Sequence, residues 1–313
     1  MRGASAILDR VGPNRLPKLP DDYQKRWLAP ALVTTIILLV ANALSPIAAN
    51  WIAIVLFLLG VPHGAVERTE TAPRFTMPTL AYTALYIVFG ILVFASWLIS
   101  PLGTFILFLL LSAWHFGQSE PDLRLIGLWV IIGSCLIYPA QTLSIFAALL
   151  ESGSPPSQWV VASQILAAAC LMGLLIEYAV RIKSGQKPSL LRLAFLVLLF
   201  LVLPPIPAVA VYFFALHGLG EFARTLAAVS RASVLREGSA LKPIDILKLY
   251  GPATFPAMIG AVIILWMTVT GYIPMVIAAG LATAFIIPHM LPIEDLLRVD
   301  RDAARNKKIT PKA

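Results

Sequence analysis

From about residue 30 onward the chain alternates long apolar runs with short polar connections. The runs have the length of bilayer crossings: a helix needs about 20 mostly apolar residues to traverse the hydrocarbon layer. Ten candidate spans follow, at 30–48, 50–66, 79–99, 102–118, 125–149, 158–180, 190–204, 207–228, 252–271 and 273–291. Two divisions rest on proline, which cannot continue a helix. Pro204-Pro205-Ile206-Pro207 and Gly271-Tyr272-Ile273-Pro274 are read as tight turns; if both are kinks, the number of spans is eight. No strand alternation, P-loop or tandem repeat interrupts the pattern. The expected fold is all-α, a polytopic helical membrane bundle, with an N-terminal arm at 1–29, a transmembrane domain at 30–291 and a basic tail at 292–313.

Composition sharpens this reading. Of 313 residues, 59% are apolar and 13% charged, against about 45–50% and about 25% in soluble domains. An ordinary soluble enzyme, a disordered chain and a nucleic-acid binder are all disfavoured. The net charge of +8 comes from 24 Lys and Arg against 16 Asp and Glu, and the position of the cations reports orientation. All 24 lie in the N-terminal arm, the tail, or the connections and helix edges after the second, fourth, sixth and eighth spans. The opposite connections, near Ser100-Pro101, 151–157, 204–207 and 271–274, carry none. Both termini are therefore expected to be cytoplasmic. The N-terminal arm is too polar and too long, and lacks a small-residue cleavage site, to be a secretory signal. Cys135 and Cys170 lie within apolar runs and suggest neither a disulfide framework nor a zinc site.

The candidate chemistry is carried by four histidines, His63, His115, His217 and His289, one on each of the second, fourth, eighth and tenth spans. All four of those spans run from outside to inside. Each histidine precedes the first cytoplasmic cation (Arg68, Arg124, Arg224, Arg298) by five to nine residues, which places them in one layer on the order of 7–14 Å above it. Ionisable groups within spans are costly and usually functional, and neutral imidazole is the commonest transition-metal ligand. An all-nitrogen site with open positions points to iron or copper chemistry with oxygen. Taken singly, each histidine reads as a helix-packing residue; four in one layer read as a site. A proton or ion path is the other arrangement such residues make.

Carboxylates follow each histidine: Glu67 and Glu221 four residues on, Glu120 and Glu294 five residues on. At four residues the side chains share a helix face, so Glu67 and Glu221 can orient their histidines or join the metal. Glu120 also falls beside the site, although for Glu120 and Glu294 pairing with nearby Lys and Arg is the preferred reading. Gly60, Gly64, Gly117, Gly218 and Gly220 surround the histidines and allow close helix approach or room for a ligand. Trp114, Phe116, Tyr212, Phe213 and Phe214 are candidate walls of an apolar pocket reached from the bilayer, or else aromatic packing.

Four segments, Gly60-Val61-Pro62-His63-Gly64-Ala65-Val66-Glu67, Ser112-Ala113-Trp114-His115-Phe116-Gly117, Tyr212-Phe213-Phe214-Ala215-Leu216-His217 and Pro288-His289-Met290-Leu291, resemble those of the Brp/Blh family of integral-membrane β-carotene 15,15′-dioxygenases, which supply retinal to microbial rhodopsins. The resemblance runs in order from the second span to the last. It implies a non-haem Fe(II) dioxygenase of the bacterial inner membrane that uses O2 to cleave β-carotene, or a related polyene, into two retinal molecules. It assigns His63, His115 and His217 as iron ligands and His289 as a ligand or close neighbour, with substrate entering laterally from lipid. The third motif departs from the family: His217-Gly218-Leu219-Gly220-Glu221 stands where the family has His-Ser-x-Arg-His, so Glu221 replaces a second histidine. Glu67 stands where the family tends to have Asp. Glu221 is then either an anionic ligand to the iron or the mark of a relative that binds carotenoid or retinal, or accompanies a rhodopsin, without cleavage. A transporter is a further alternative; no pair of broken helices is evident at the midplane, although 204–207 leaves room for one.

Overall fold

The structure, a computed structural model, describes residues 28–61, 79–120, 123–223 and 243–290; the side chains at 79–83, 243–253 and 289 are outside that description. Among the described residues the fold is helical, with no strand. Eleven helices follow in order: α1 Leu28–Leu44, α2 Pro46–Gly60, α3 Thr79–Ile99, α4 Pro101–Ser119, α5 Ile126–Ile132, α6 Pro139–Leu149, α7 Ser157–Lys183, α8 Leu190–Val202, α9 Pro205–Ala223, α10 Pro243–Val269 and α11 Met275–Met290. Proline opens α2, α4, α6 and α9, where its fixed φ suits the first turn and its missing N–H costs nothing.

The described helices α4, α7 and α9 are each long and apolar enough to cross a membrane. Their outward faces are apolar: Ile106, Leu110, Ile165, Leu166 and Ile176 are all about half exposed or more. A soluble helix would place polar residues there. The inner contacts are made by small residues, with Ala31, Ala49, Ala53, Ala208 and Ala210 fully buried, as expected where helices pack without a hydrophobic drive between them. The protein is a helical membrane protein.

Each of the ten apolar stretches contains helix, but four breaks need comment. The first break falls at Ser45, earlier than the pattern placed it; Ser45 is extended (φ −160°, ψ 111°) and its hydroxyl accepts from the Ala48 N–H. The proline sites at 204–207 and 271–274 both separate helices, the latter through Gly271 at φ 77°, a left-handed turn residue. The stretch 125–149 is not one straight helix. It passes through a tight 3-10 turn at Gly133–Leu136 and bends by 110° into α6. That break, which the apolar pattern does not predict, is met from another helix: the Gln164 amide donates to the Leu136 carbonyl (3.4 Å), while the Tyr138 carbonyl accepts the Thr142 N–H (2.9 Å) as α6 begins. Non-helical backbone within a membrane needs such partners.

α2 packs on α9, α4 on α5, and α11 on both α3 and α4. The α4–α5 contact is backbone to backbone: a Cβ on Gly127 would stand 1.9 Å from the Ala113 carbonyl oxygen, and one on Gly117 2.5 Å from that of Arg124. The start of α5 is held from α7, where the Glu177 carboxylate accepts from the Arg124 and Leu125 N–H groups at 3.0 and 3.1 Å. An anion at a helix start is the favourable polarity. These contacts hold the last turns of α4, which carry His115.

Candidate functional site

His217 lies on a seven-residue π-helical turn, Tyr212–Gly218, set inside α9. Such turns take hydrogen bonds from residue i+5 instead of i+4 and recur at functional sites. Residues four and five apart then share a face, and the rings of Tyr212 and His217 run nearly parallel there, 6.2 Å apart at 16°. Close approach of α2 accompanies the turn. A Cβ on Gly218 would stand 3.5 Å from the Gly60 Cα and 2.9 Å from the Phe213 carbonyl oxygen, and one on Gly60 2.5 Å from the Phe213 ring. The space beside Gly60 is thus taken by Phe213.

α4 brings His115 to the same place. The His115 and His217 rings meet edge to face at 5.1 Å between centres and 76° between planes. Phe116 stands edge-on to both His217 (5.0 Å) and Tyr212 (5.2 Å). Phe213 tilts against His217 at 6.1 Å and against Phe57 of α2 at 5.6 Å. His217 is 2% exposed and Tyr212 fully buried; His115 is half-buried. Two imidazoles from separate helices therefore share one aromatic enclosure largely closed to its surroundings.

Behind it lies a buried ion pair. Glu120, 3% exposed at the end of α4, is clasped by Arg192 of α8, with Nε 2.9 Å from Oε2 and Nη2 donating to Oε1 at 2.9 Å. The Tyr212 hydroxyl reaches the same Oε1 at 3.5 Å. Glu120 thus pairs with a cation, as its place at a helix end suggests, but the partner, Arg192, is half-buried on a helix distant in the chain. The available signal was an arginine just inside an apolar run.

Residues 54–296 match the profile of the family described as Beta-carotene 15,15'-dioxygenase. The chain belongs to that family. No curated protein and no solved structure matches it.

Within this member of the β-carotene dioxygenase family, the structure brings together His115, His217, Phe116, Tyr212 and Phe213 of the residues expected at the site. Phe214 is half-buried against the core of the bundle. Trp114 is 45% exposed, on the outer side of α4. Glu221 is half-buried one turn beyond His217. His63 and Glu67 lie outside the described residues, as does the His289 side chain. The position next to His289 is nonetheless informative: Met290, on the last turn of α11, receives the Ser112 hydroxyl at 3.7 Å from its sulfur, one turn from His115 on α4. α11 reaches this point despite Pro288, which deprives the Ala284 carbonyl of its helical donor; the neighbouring Phe285 carbonyl accepts from the Tyr86 hydroxyl of α3.

Among the described residues no three His, Cys, Asp or Glu side chains converge closely enough to hold a metal ion. The His115–His217 pair does have the spacing of two ligands on a common ion: with metal–nitrogen bonds of about 2.1 Å, imidazole centres fall roughly 4.5–5.5 Å apart. An imidazole donor set in an apolar enclosure fits a transition metal such as iron.

Proposed function

We propose that the protein is a non-haem Fe(II) dioxygenase that cleaves the central double bond of β-carotene with O2 to give two molecules of retinal, each taking one oxygen atom. The observation that carries this reading is the His115–His217 pair, 5.1 Å between ring centres inside a buried aromatic enclosure, in a chain whose residues 54–296 belong to the family. His115 and His217 would hold the metal by ring nitrogens, joined by His63 and by His289 as ligand or neighbour, with Glu221 as a candidate anionic ligand and Glu67 beside His63. Iron(II), when bound, supplies the redox chemistry that O2 needs to react with a closed-shell polyene. Phe116, Tyr212 and Phe213 exclude water and present apolar walls to a hydrocarbon chain. β-Carotene is insoluble in water, so lateral entry from lipid suits a site within the bundle. Ten spans with both termini on the cytoplasmic side of a bacterial inner membrane complete the proposal, and a microbial rhodopsin is the natural consumer of the retinal.

Expression in a bacterial host that accumulates β-carotene tests it directly. Retinal formation with matching pigment loss is expected, absent in His217→Ala. A folded, membrane-inserted protein that makes no retinal overturns the assignment. One feature favours a second reading: Glu221 stands where the family carries a histidine. A relative that binds a polyene without cleaving it would then retain pigment on purification and show no turnover. The 110° break at α5–α6 revives the transporter alternative only on topology, since the Leu136 carbonyl there is met by the Gln164 amide.

A further inference from the structure

The π-turn that carries His217 does not end at that residue's ring. Tyr212 opens the turn, is fully buried, and lies five residues before His217, one π-helical turn below it with its ring nearly parallel. Its hydroxyl points to Glu120 Oε1 at 3.5 Å; Arg192 Nη2 donates to that same oxygen, and Arg192 Nε stands 2.9 Å from Oε2 as an ion-pair contact. Three elements, α4, α8 and α9, are thus joined through one carboxylate, and the chain of contacts terminates on the imidazole. Phe116 closes the arrangement by standing edge-on to both Tyr212 and His217.

A buried carboxylate that accepts a charge-assisted hydrogen bond at one oxygen and has the cation close beside the other is held against its partner. A phenol oxygen lies on the axis of its ring, so this contact fixes where the ring sits, while Phe116, edge-on to the ring, limits its rotation. The His217 imidazole, nearly parallel to that phenol and edge-on to Phe116, packs beside rings placed in this way. Outer partners of this kind orient ligating histidines and tune the bound metal.

We propose that Tyr212 is a positioning residue for His217, anchored by the Arg192–Glu120 pair, and that its hydroxyl, by holding the phenol in place, fixes the position of the His217 imidazole. This rests on the reading of His217 as a metal ligand, but the positioning itself can be observed without metal. The chain contains four histidines, so isotope-labelled histidine in the purified full-length protein yields four pairs of ring-nitrogen signals by nitrogen NMR, and His217→Gln identifies its own pair by disappearance.

Tyr212→Phe removes the hydroxyl and keeps the ring. It is expected to shift the His217 signal, leave the melting temperature close to that of Tyr138→Phe, and weaken iron binding about tenfold, the lower end of what outer partners of ligands contribute. Tyr138→Phe deletes a hydroxyl directed at the Val202 carbonyl (3.4 Å) and should move no imidazole signal. Glu120→Gln, which loosens the anchor, should shift the same His217 signal in the same direction. An unchanged His217 signal in Tyr212→Phe overturns the proposal. So does a shift accompanied by a melting-temperature loss well beyond that of Tyr138→Phe, because the effect would then be general loosening. If the wild-type protein binds no iron and makes no retinal, the proposed function fails, while the imidazole shift still decides whether Tyr212 positions His217.

Discussion

α7 and α9 are both long and apolar enough to cross a membrane, yet only 17% of the most apolar window of α7 is buried within the protein, against 50% of that of α9. α7 is a continuous helix of 27 residues whose side chains mostly face outward. α9 is shorter, interrupted by a π-turn, and meets α2 backbone to backbone beside Gly218. The regular helix serves the bilayer and the irregular one serves the site. The physical reason is that a lipid-facing helix satisfies its own backbone and needs nothing from its neighbours. A site helix must aim particular side chains at other elements, and a local change of helical period is one way to do so.

This contrast predicts unequal tolerance to substitution. The largest effect is expected at the anchor behind α9: Arg192→Ala leaves Glu120 buried with its charge uncompensated, which should cost on the order of 3 kcal/mol. The thermal midpoint of unfolding in detergent measures this, and a near-wild-type midpoint would mean that Glu120 does not depend on Arg192. A smaller effect is expected where α2 meets α9. In Gly60→Ala the new methyl would lie 2.5 Å from the Phe213 ring, so the ring must turn at a cost of about 1–2 kcal/mol. Because Phe213 lies against His217, retinal output in a carotene-accumulating host should fall further than the protein's abundance. Equal losses of both would remove Phe213 from the site. The smallest effect belongs to α7: Ile165→Ala, at a side chain 65% exposed, should change stability by no more than about 0.5 kcal/mol and leave retinal output unaltered. A large loss there would mean that α7 is covered by another protein surface.

Much of the fold was legible in the chain. Apolar runs near the length of a bilayer crossing and prolines at first turns locate helices from local physics alone, and the helices found agree closely with the stretches read from the pattern, as at Thr79–Ile99 and Ser157–Lys183. Where the reading fell short, the missing term was non-local. Gly133 and Pro139 mark where 125–149 can break, but the 110° angle is not written in them: it is set by the elements packed against the break, among them α7, whose Gln164 amide donates to the Leu136 carbonyl. The candidate site divides in the same way. A histidine in an apolar run is conspicuous, so His115 and His217 could be chosen from sequence, and the choice of Phe116, Tyr212 and Phe213 followed from adjacency. Trp114, one residue from His115, is 45% exposed on the outer side of α4, since neighbours in a helix point about 100° apart.

By itself, then, the sequence determined that this is a helical membrane protein, where most of its helices begin and end, and which rare polar side chains lie within them. These follow from hydrophobicity, from the missing proline N–H and from the cost of placing an ionisable group in hydrocarbon, all of which act over a few residues. Only the tertiary structure decided that His115 and His217 face each other, that α9 adopts a π-turn beside Gly60, and that Arg192 reaches a carboxylate 72 positions away in the chain. Those outcomes depend on which helices are neighbours, and neighbours are selected by the summed packing of whole faces, which no short segment encodes.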